Sequence, residues 1–348
     1  MTARSTDLAL EARELVKTYP GGRGKPVVTA LQGLSFTAAA GSIFGVLGPN
    51  GAGKSTMVKI LATLSRADSG SAYVAGVDVR RDPDRVRHLI GFVAQKQVSD
   101  PMDTGLENLV LAGRLQGLRA RAARVRAEEL LGRFALEEAA HRQVKTYSGG
   151  MARKLDVAIG LMHRPQVLFL DEPTTGLDPQ ARAELWAEIQ RMARAEQLTV
   201  LLTTHYLEEA DHLADRLVIV DRGRVVAEGA PAELKSQLHG DAVVVELRDG
   251  APVPLALEAL GRIEGLRELT TEPTPEGAAV RARADDGARS LPDALAALDA
   301  AGVRVASATV ARPSLDDVYL RHTGHSLARG DRSVGSAADS DRSMEAVR

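Results

Sequence analysis

Nine residues from Gly48 to Thr56 have the types and spacing of a phosphate-binding loop. The sequence GPNGAGKST contains a glycine, four further residues and then Gly-Lys-Ser. Glycines let successive backbone N–H groups turn toward phosphates, and a following helix adds partial positive charge at its N-terminus. We expect Lys54 to reach the β- and γ-phosphates of a nucleotide and the Ser55 hydroxyl to ligate Mg²⁺. The predicted nucleotide-binding residues of the loop are Gly48, Pro49, Asn50, Gly51, Ala52, Gly53, Lys54, Ser55 and Thr56.

Two acidic residues, Asp171 and Glu172, directly follow the apolar run at residues 167–170. A carboxylate there would lie at the carboxyl edge of a parallel sheet, where such sheets bind ligands. We predict that Asp171 coordinates Mg²⁺ through water and that Glu172 polarises the attacking water as a general base. An acidic pair at a strand end can also cap a helix, but the phosphate loop upstream favours catalysis.

The elements around these motifs are predicted from apolar patterns. Residues 43–47 form a nearly continuous apolar run before the loop, and residues 57–64 form an apolar-periodic helix after it. Further strands are predicted at residues 8–16, from 27, and at 167–170, 199–203 and 217–221, with helices at 180–196 and 207–214. This alternation implies a parallel sheet covered by helices, in a nucleotide domain that ends near Leu238. Residues 100–142 are mostly helical in pattern, and we interpret the basic run within 119–131 as a solvated helix face rather than a phosphate or lipid surface.

The composition changes after Leu238. We predict strands at residues 243–247, 278–282 and 303–305, and helices at 255–260, 290–300 and 314–321. Residues 240–325 are therefore interpreted as a small accessory domain with α+β structure, and residues 326–348 as a disordered tail.

Length, charge and cysteine content narrow the class of protein. The 348 residues have room for about two domains. The formal net charge is only −2, which does not indicate a protein that binds polyanions in bulk. Cysteine is absent, which excludes disulfides and thiolate metal sites. No apolar run approaches the ~20 residues needed to cross a bilayer, and the N-terminus has no secretory signal pattern. We therefore expect a cytoplasmic protein, with any membrane span supplied by a separate protein.

The order of the motifs resembles the ATP-binding subunit of an ABC transporter. It consists of the phosphate loop, Gln95, Tyr147-Ser148-Gly149-Gly150-Met151, LFLDEP at 168–173, GLDP at 176–179 and Thr204-His205. The resemblance covers residues 8–238 and implies an ATP-binding domain with a P-loop NTPase fold of the α/β class, which binds ATP and Mg²⁺. Within this domain it implies a helical subdomain at about 96–150. It also implies a homodimer that closes on ATP.

The resemblance assigns roles to residues outside the phosphate loop. Ser148, Gly149 and Gly150 would contact the γ-phosphate of ATP held by the partner subunit, and Asp178 would cross the dimer interface.

Three further residues follow from the same resemblance. Gln95 would sense Mg²⁺ and the attacking water, and His205 would contact the γ-phosphate and hold the hydrolytic geometry. Tyr19 would stack on adenine, although a Gly-rich stretch follows it directly.

Several residues are similar to a subgroup of these proteins, the daunorubicin-resistance exporters. The signature begins with Tyr147 and ends with Met151, where Leu and Gln are commoner in the family, and residues 313–320 (PSLDDVYL) resemble the C-terminal motif of the subgroup. The implied function is an ATPase on the cytoplasmic face of the membrane. It would drive a separate transmembrane permease that exports a drug or secondary metabolite, with no nucleic-acid partner.

Two alternatives are less favoured. A soluble ABC-type ATP switch that acts on a ribosome or DNA usually has two cassettes in one chain or a long coiled coil, and neither pattern is present here. A purely regulatory nucleotide-binding module is disfavoured because the expected base, Glu172, is present.

Overall fold

The structure is a computed structural model that describes residues 8–21, 26–238, 240–248, 250–274 and 277–324. The predicted disordered tail at 326–348 lies outside the described residues, as do residues 22–25 of the loop after Tyr19. The described chain divides into two compact units, residues 8–231 with 322–324 and residues 232–321.

The first unit contains ten strands and seven α-helices among its described residues, with two 3-10 turns at Glu137–Ala139 and Val144–Thr146. The bounds in chain order are β1 Leu8–Tyr19, β2 Val28–Ala39, β3 Ile43–Leu47, α1 Lys54–Leu61, β4 Ser69–Val74, β5 Val77–Asp78, α2 Pro83–Leu89, β6 Ile90–Val93, α3 Gly105–Leu115, α4 Ala120–Arg133, α5 Gly149–Gly160, β7 Val167–Asp171, α6 Pro179–Glu196, β8 Thr199–Thr204, α7 Leu207–Leu213, β9 Arg216–Asp221 and β10 Arg224–Gly229.

A six-stranded sheet forms the centre of this unit, in the order β10-β9-β3-β8-β7-β6. All neighbours are parallel except β10, which runs antiparallel to β9 at the edge. The register places Leu47 beside Thr204, Thr203 beside Asp171 and Leu170 beside Val93. The chain segments after β3, β6, β7 and β8 therefore leave the sheet at one edge, where ligands of such sheets bind.

Side chains of alternating direction explain why the central strands are continuously apolar. In β7, Val167 and Phe169 join one buried cluster, whereas Leu168 and Leu170 join another on the opposite face. The first cluster includes α1 and the antiparallel sheet β2-β1-β4-β5, and the second includes α3 to α6. A parallel strand buried on both faces has no solvated side and needs no polar alternation.

The second unit has an antiparallel sheet of four strands, in the order β12-β13-β11-β14. One face packs against two helices through a buried apolar cluster that includes Val245, Val280, Leu260 and Leu298. From α8, which begins at the last residue of the first unit's 8–231 segment, the bounds are α8 Pro231–Ser236, β11 Asp241–Leu247, α9 Val253–Gly261, β12 Leu266–Thr274, β13 Gly277–Ala284, α10 Gly287–Ala300, β14 Val305–Ala311 and α11 Leu315–Thr323.

Most predicted elements are confirmed, with corrections at their bounds. Helix α1 spans Lys54–Leu61 rather than 57–64, because it begins directly at the phosphate loop. The strand expected at 303–305 begins only at Val305 and runs to Ala311, since Val303 is a buried residue of the connection from α10. The mostly helical region at 100–142 is confirmed as α3, α4 and a 3-10 turn. Among the described residues, no helix is both long and apolar enough to span a bilayer.

Candidate ATPase site

The loop between β3 and α1 folds as a tight cradle that depends on its glycines. A Cβ atom on Gly48 would lie 2.3 Å from the carbonyl oxygen of Val220, and one on Gly53 would lie 2.4 Å from that of Ala30. Gly53 also has a φ of 104° and offers no side chain to cap α1. The backbone N–H groups of the first turn are therefore suited to bind an anion, and this backbone fits the phosphates of a nucleotide.

Lys54 is held inside this loop and is only 4% exposed. Its Nζ atom donates hydrogen bonds to the carbonyl oxygens of Gly48 at 2.7 Å and Pro49 at 3.1 Å. The same atom lies 3.2 Å from Oε1 of Glu172, so one ammonium group joins the loop to the end of β7.

Hydroxyl groups surround the buried carboxylate of Asp171. Ser55 donates a hydrogen bond from Oγ to Oδ1 of Asp171 at 3.1 Å, and Thr203 donates one from Oγ1 to the same oxygen at 2.7 Å. Carboxylate and hydroxyl oxygens are hard ligands of the kind that Mg²⁺ prefers, so the pair of Ser55 and Asp171 fits this ion.

Four side chains make polar contacts with the carboxylate of Glu172, those of Lys54, Gln95, Thr175 and His205. Its Oε2 atom accepts a hydrogen bond from Nε2 of Gln95 at 3.2 Å and lies 3.2 Å from Nδ1 of His205. Burial raises the pKa of Glu172, but the contact with His205 and the charge of Lys54 lower it more, to about 2. The carboxylate is therefore ionised at neutral pH.

The backbone at Glu172 has a left-handed conformation, with a φ of 48°, which is uncommon for a residue with a side chain. Its N–H donates to the carbonyl oxygen and to Oγ1 of Thr203, both at 3.1 Å. These bonds to β8 hold the strained turn that presents the carboxylate. The structure thus brings together Lys54, Ser55, Gln95, Asp171, Glu172 and His205.

The signature residues lie at a different place, at the starts of α5 and α6. Ser148 caps α5, because its Oγ atom accepts a hydrogen bond from the N–H of Met151 at 3.2 Å. Asp178 caps α6 in the same way through the N–H of Ala181 at 2.8 Å. A Cβ atom on Gly150 would lie 2.8 Å from the Cβ of Ala181, so the two helix starts are packed closely. Ser148 and Gly149 are exposed, so this helix start is open to a ligand from outside the subunit.

Tyr19 ends β1 and is 37% exposed. The Nζ atom of Lys17 lies 5.4 Å from the centroid of its ring. Stacking of this ring on adenine stays a prediction, and residues 22–25 of the following loop lie outside the described part of the chain.

Comparisons with known proteins identify the family. The chain is 44% identical over 334 residues to the daunorubicin/doxorubicin resistance ATP-binding protein DrrA of Streptomyces peucetius, covering 96% of this chain and 97% of that protein. The chain belongs to the ABC transporter ATP-binding proteins of the daunorubicin-resistance type. Residues 31–175 match the ABC transporter family, and residues 229–323 match the C-terminal domain of DrrA1-3-like ATP-binding proteins.

Other relatives and solved structures agree with this membership. The doxorubicin resistance ATP-binding protein DrrA of Mycobacterium tuberculosis is 44% identical, with 92% of this chain and 95% of that protein covered. The Nod factor export ATP-binding protein I of Burkholderia lata is 39% identical, with 85% and 93% covered. The dimeric ATP-binding cassette MJ0796, in a post-hydrolysis state bound to ADP and Pi, superposes with a TM-score of 0.58 at 26% identity, covering 64% of this chain and 98% of that chain.

As an ABC transporter ATP-binding protein, the chain is an ATPase with the P-loop NTPase fold, and its resemblance to the drug-export branch is confirmed. Proteins of this family work with membrane subunits and dimerise.

Several contacts around the site were not predicted from the sequence. Thr203 was predicted only as part of a strand. It is a polar residue that directly follows Leu201 and Leu202 in a buried strand, and a buried hydroxyl needs a hydrogen-bond partner, which here is Asp171. No role was predicted for Arg153 or Asp156, yet both are buried. Arg153 lies beside the segments that carry Gln95 and Glu172, and Asp156 lies beside the segment that begins with Gln95.

Proposed function

We propose that this ATPase dimerises on ATP and powers export of a drug or secondary metabolite through a separate transmembrane permease. The single observation that carries the proposal is the 44% identity to daunorubicin/doxorubicin resistance ATP-binding proteins over nearly the whole chain. The protein would act as a peripheral subunit at the cytoplasmic face of the membrane, without a nucleic-acid partner.

The proposed domain organisation follows from the same reasoning. Residues 8–238 form the ATP-binding domain, with the helical subdomain at about 96–150, and residues 240–325 form the accessory domain. The chain divides close to the first boundary, between Pro231 and Ala232, which supports this assignment.

Within one subunit, we propose that residues 48–56 bind the phosphates of ATP and that Tyr19 stacks on the adenine. Ser55 and Asp171 would hold Mg²⁺, with Gln95 near it, and the ion would neutralise charge on the β- and γ-phosphates. The short distances between Ser55, Asp171 and Thr203 support a site made of hard oxygen ligands.

We assign hydrolysis to Glu172 as the general base, together with two of the residues that contact its carboxylate. The carboxylate is ionised and can accept a proton from water. His205 contacts it from the position directly after β8, and Gln95 contacts it from the segment after β6. A general base of this kind contributes typically about 10²–10⁴-fold to a rate.

Ser148, Gly149, Gly150 and Asp178 would act on the ATP of the second subunit. An uncovered helix start attracts phosphate through its N–H groups and its partial positive charge. The exposure of Ser148 and Gly149 supports this role, because a ligand bound in the same subunit would lie at the phosphate loop instead.

Efflux measurements test the proposal. The full chain should co-purify with a membrane protein from detergent-solubilised membranes, and cells that express the pair should accumulate less daunorubicin than cells that express the pair with Glu172→Gln. Equal accumulation of daunorubicin and of other exported compounds in both strains would contradict the export function. Recovery with ribosomes or DNA instead of membranes would favour the soluble ATP switch.

A further inference from the structure

Helix α5 carries two charged side chains that are buried one turn apart. Arg153 is 8% exposed and Asp156 is 1% exposed, and their charges lie 3.9 Å apart between Nη1 and Oδ2. The helix begins at Gly149, directly after its cap Ser148. Arg153 therefore lies little more than one turn from the residue that we propose to meet the partner's ATP.

The guanidinium of Arg153 binds the backbone of two separate segments. Its Nε atom donates to the carbonyl oxygen of Pro173 at 2.7 Å, and its Nη1 atom donates to that of Ala94 at 2.6 Å. Longer contacts of 3.3 and 3.4 Å join Nη2 to the carbonyl oxygens of Asp171 and Glu172. Pro173 directly follows Glu172, and Ala94 directly precedes Gln95, so one side chain holds both hydrolytic segments.

Asp156 holds the far end of the segment that begins with Gln95. Its Oδ1 atom accepts hydrogen bonds from the N–H groups of Ser99 at 3.1 Å and Val98 at 3.4 Å. Helix α5 therefore binds this segment at both ends, through Arg153 before Gln95 and through Asp156 four residues after it.

The burial of Arg153 indicates that its hydrogen bonds matter more than the space it fills. Removing a guanidinium from water is costly, and an apolar side chain of similar volume would fill the space at lower cost. The planar fork of arginine spreads five N–H donors over three nitrogen atoms, which lets one side chain reach four carbonyl groups on two segments, whereas the three donors of a lysine all leave from one atom.

We propose that Arg153 is a positioning residue for hydrolysis, which fixes the backbones of Gln95 and Glu172 to the helix that begins at Ser148. Displacement of that helix when the dimer closes is then passed to the two hydrolytic side chains. This inference rests on the proposed roles of Glu172 and Ser148.

The variant Arg153→Lys tests the inference, because it keeps the charge and loses the fork. Lys154→Gln is the matched control, since Lys154 is the adjacent residue and pairs with Glu184 at the surface. With the purified full chain, Arg153→Lys should lower kcat at least ~10-fold at temperatures well below its Tm, while KM and the Kd for ATP stay close to those of Lys154→Gln. In the Glu172→Gln background it should still form the ATP-bound dimer in size-exclusion chromatography.

Asp156→Ala is the second variant, because it removes the oxygen that accepts from Ser99 and Val98. It should lower kcat without changing the Kd for ATP, so the inference stays testable if Arg153→Lys folds poorly. Normal kcat in both variants, or a fall in kcat only in step with Tm, would overturn the positioning role. Loss of the ATP-bound dimer would also overturn it, because Arg153 would then act on association.

Glu172→Gln is assayed in parallel: a normal rate in that variant contradicts the proposed base, whereas an inactive Glu172→Gln with a fully active Arg153→Lys contradicts this inference alone.

Discussion

Lys54 and Glu172 form a buried ion pair, with 3.2 Å between Nζ and Oε1. Lys54 belongs to the phosphate loop after β3, and Glu172 follows β7, so the pair joins the group expected to bind phosphate to the expected base. The charge of Lys54 helps to lower the pKa of Glu172 to about 2, which makes the carboxylate a weak base. Reorientation of Lys54 toward a γ-phosphate would remove part of this effect and raise the pKa of Glu172 toward a range useful for catalysis.

Lys54→Met should weaken ATP binding at least ~10-fold, because charge-assisted hydrogen bonds to phosphate are lost. Lys59→Met is the matched control, since Lys59 lies on the same helix and is exposed. Isothermal titration of each full-length variant with ATP measures the difference. Equal affinities for the two variants would contradict the role of Lys54.

Glu172→Gln should keep ATP binding and lower the rate of hydrolysis by about 10²–10⁴-fold, because the amide cannot accept the proton of the attacking water. The variant should also accumulate as a nucleotide-bound dimer. Glu208→Gln, a change of the same type at an exposed residue of α7, should hydrolyse ATP normally. If Glu172→Gln turns over ATP as fast as this control, Glu172 is not the base.

The lowered pKa of Glu172 predicts how stability depends on pH. The folded protein favours the ionised carboxylate, with a pKa of about 2 against an ordinary value of 4.5. The resulting stabilisation, about 3 kcal/mol for a shift of this size, is fully present above pH 4.5 and is lost as the pH falls toward 2.

Urea unfolding of the wild type and of Glu172→Gln between pH 3 and 7 measures this dependence. We expect the free energy of unfolding of the wild type, relative to the variant, to be constant from pH 7 to about 5 and to decrease below pH 4.5. A relative stability that stays constant down to pH 3 would contradict the lowered pKa.

Much of the fold follows from apolar patterns in the sequence. The strands at 167–170 and 199–203 were predicted because a strand buried on both faces is apolar throughout, and the structure confirms them as β7 and β8. Strand β12 was not predicted, because its sequence LRELTTEPT is mostly polar and contains Pro273. It lies at the edge of its sheet, where proline and polar residues are tolerated.

The site was predicted as a set of residues but not as a set of contacts. Glu172 and His205 were expected after strands and Gln95 was expected from the family resemblance, and the parallel register brings the three together. The hydrogen bonds of Arg153 to two segments could not be predicted, because they depend on how α5 packs beside the sheet rather than on any local pattern.

In the second unit, Asp317→Ala should lower the free energy of unfolding by about 3–5 kcal/mol, because it breaks a buried charge network. Asp317 accepts hydrogen bonds from the N–H and the hydroxyl of Ser314, both at 2.8 Å, and lies 3.3 Å from Arg281 and from Arg283. Glu258→Ala removes an exposed pair between α9 and Arg262, the residue directly after this helix, and should cost less than about 1 kcal/mol. Chemical denaturation of the full chain compares the two variants, and equal losses would contradict the structural role of Asp317.

Ser148→Arg should abolish ATP-driven dimerisation while ATP binding to the single subunit stays near normal. The large cation would occupy the exposed start of α5, where we propose that the partner's γ-phosphate binds, whereas the phosphate loop of the same subunit lies elsewhere. Loss of the cap should also destabilise α5 by about 1 kcal/mol, which Ser148→Ala measures separately.

Ala122→Arg, which adds the same side chain at an exposed position of α4, is the control for bulk and charge. Size-exclusion chromatography with ATP in the Glu172→Gln background reports the dimer, and titration with ATP reports binding. Loss of nucleotide binding by monomeric Ser148→Arg, with Ala122→Arg unaffected, would show that this segment acts on the ATP of its own subunit.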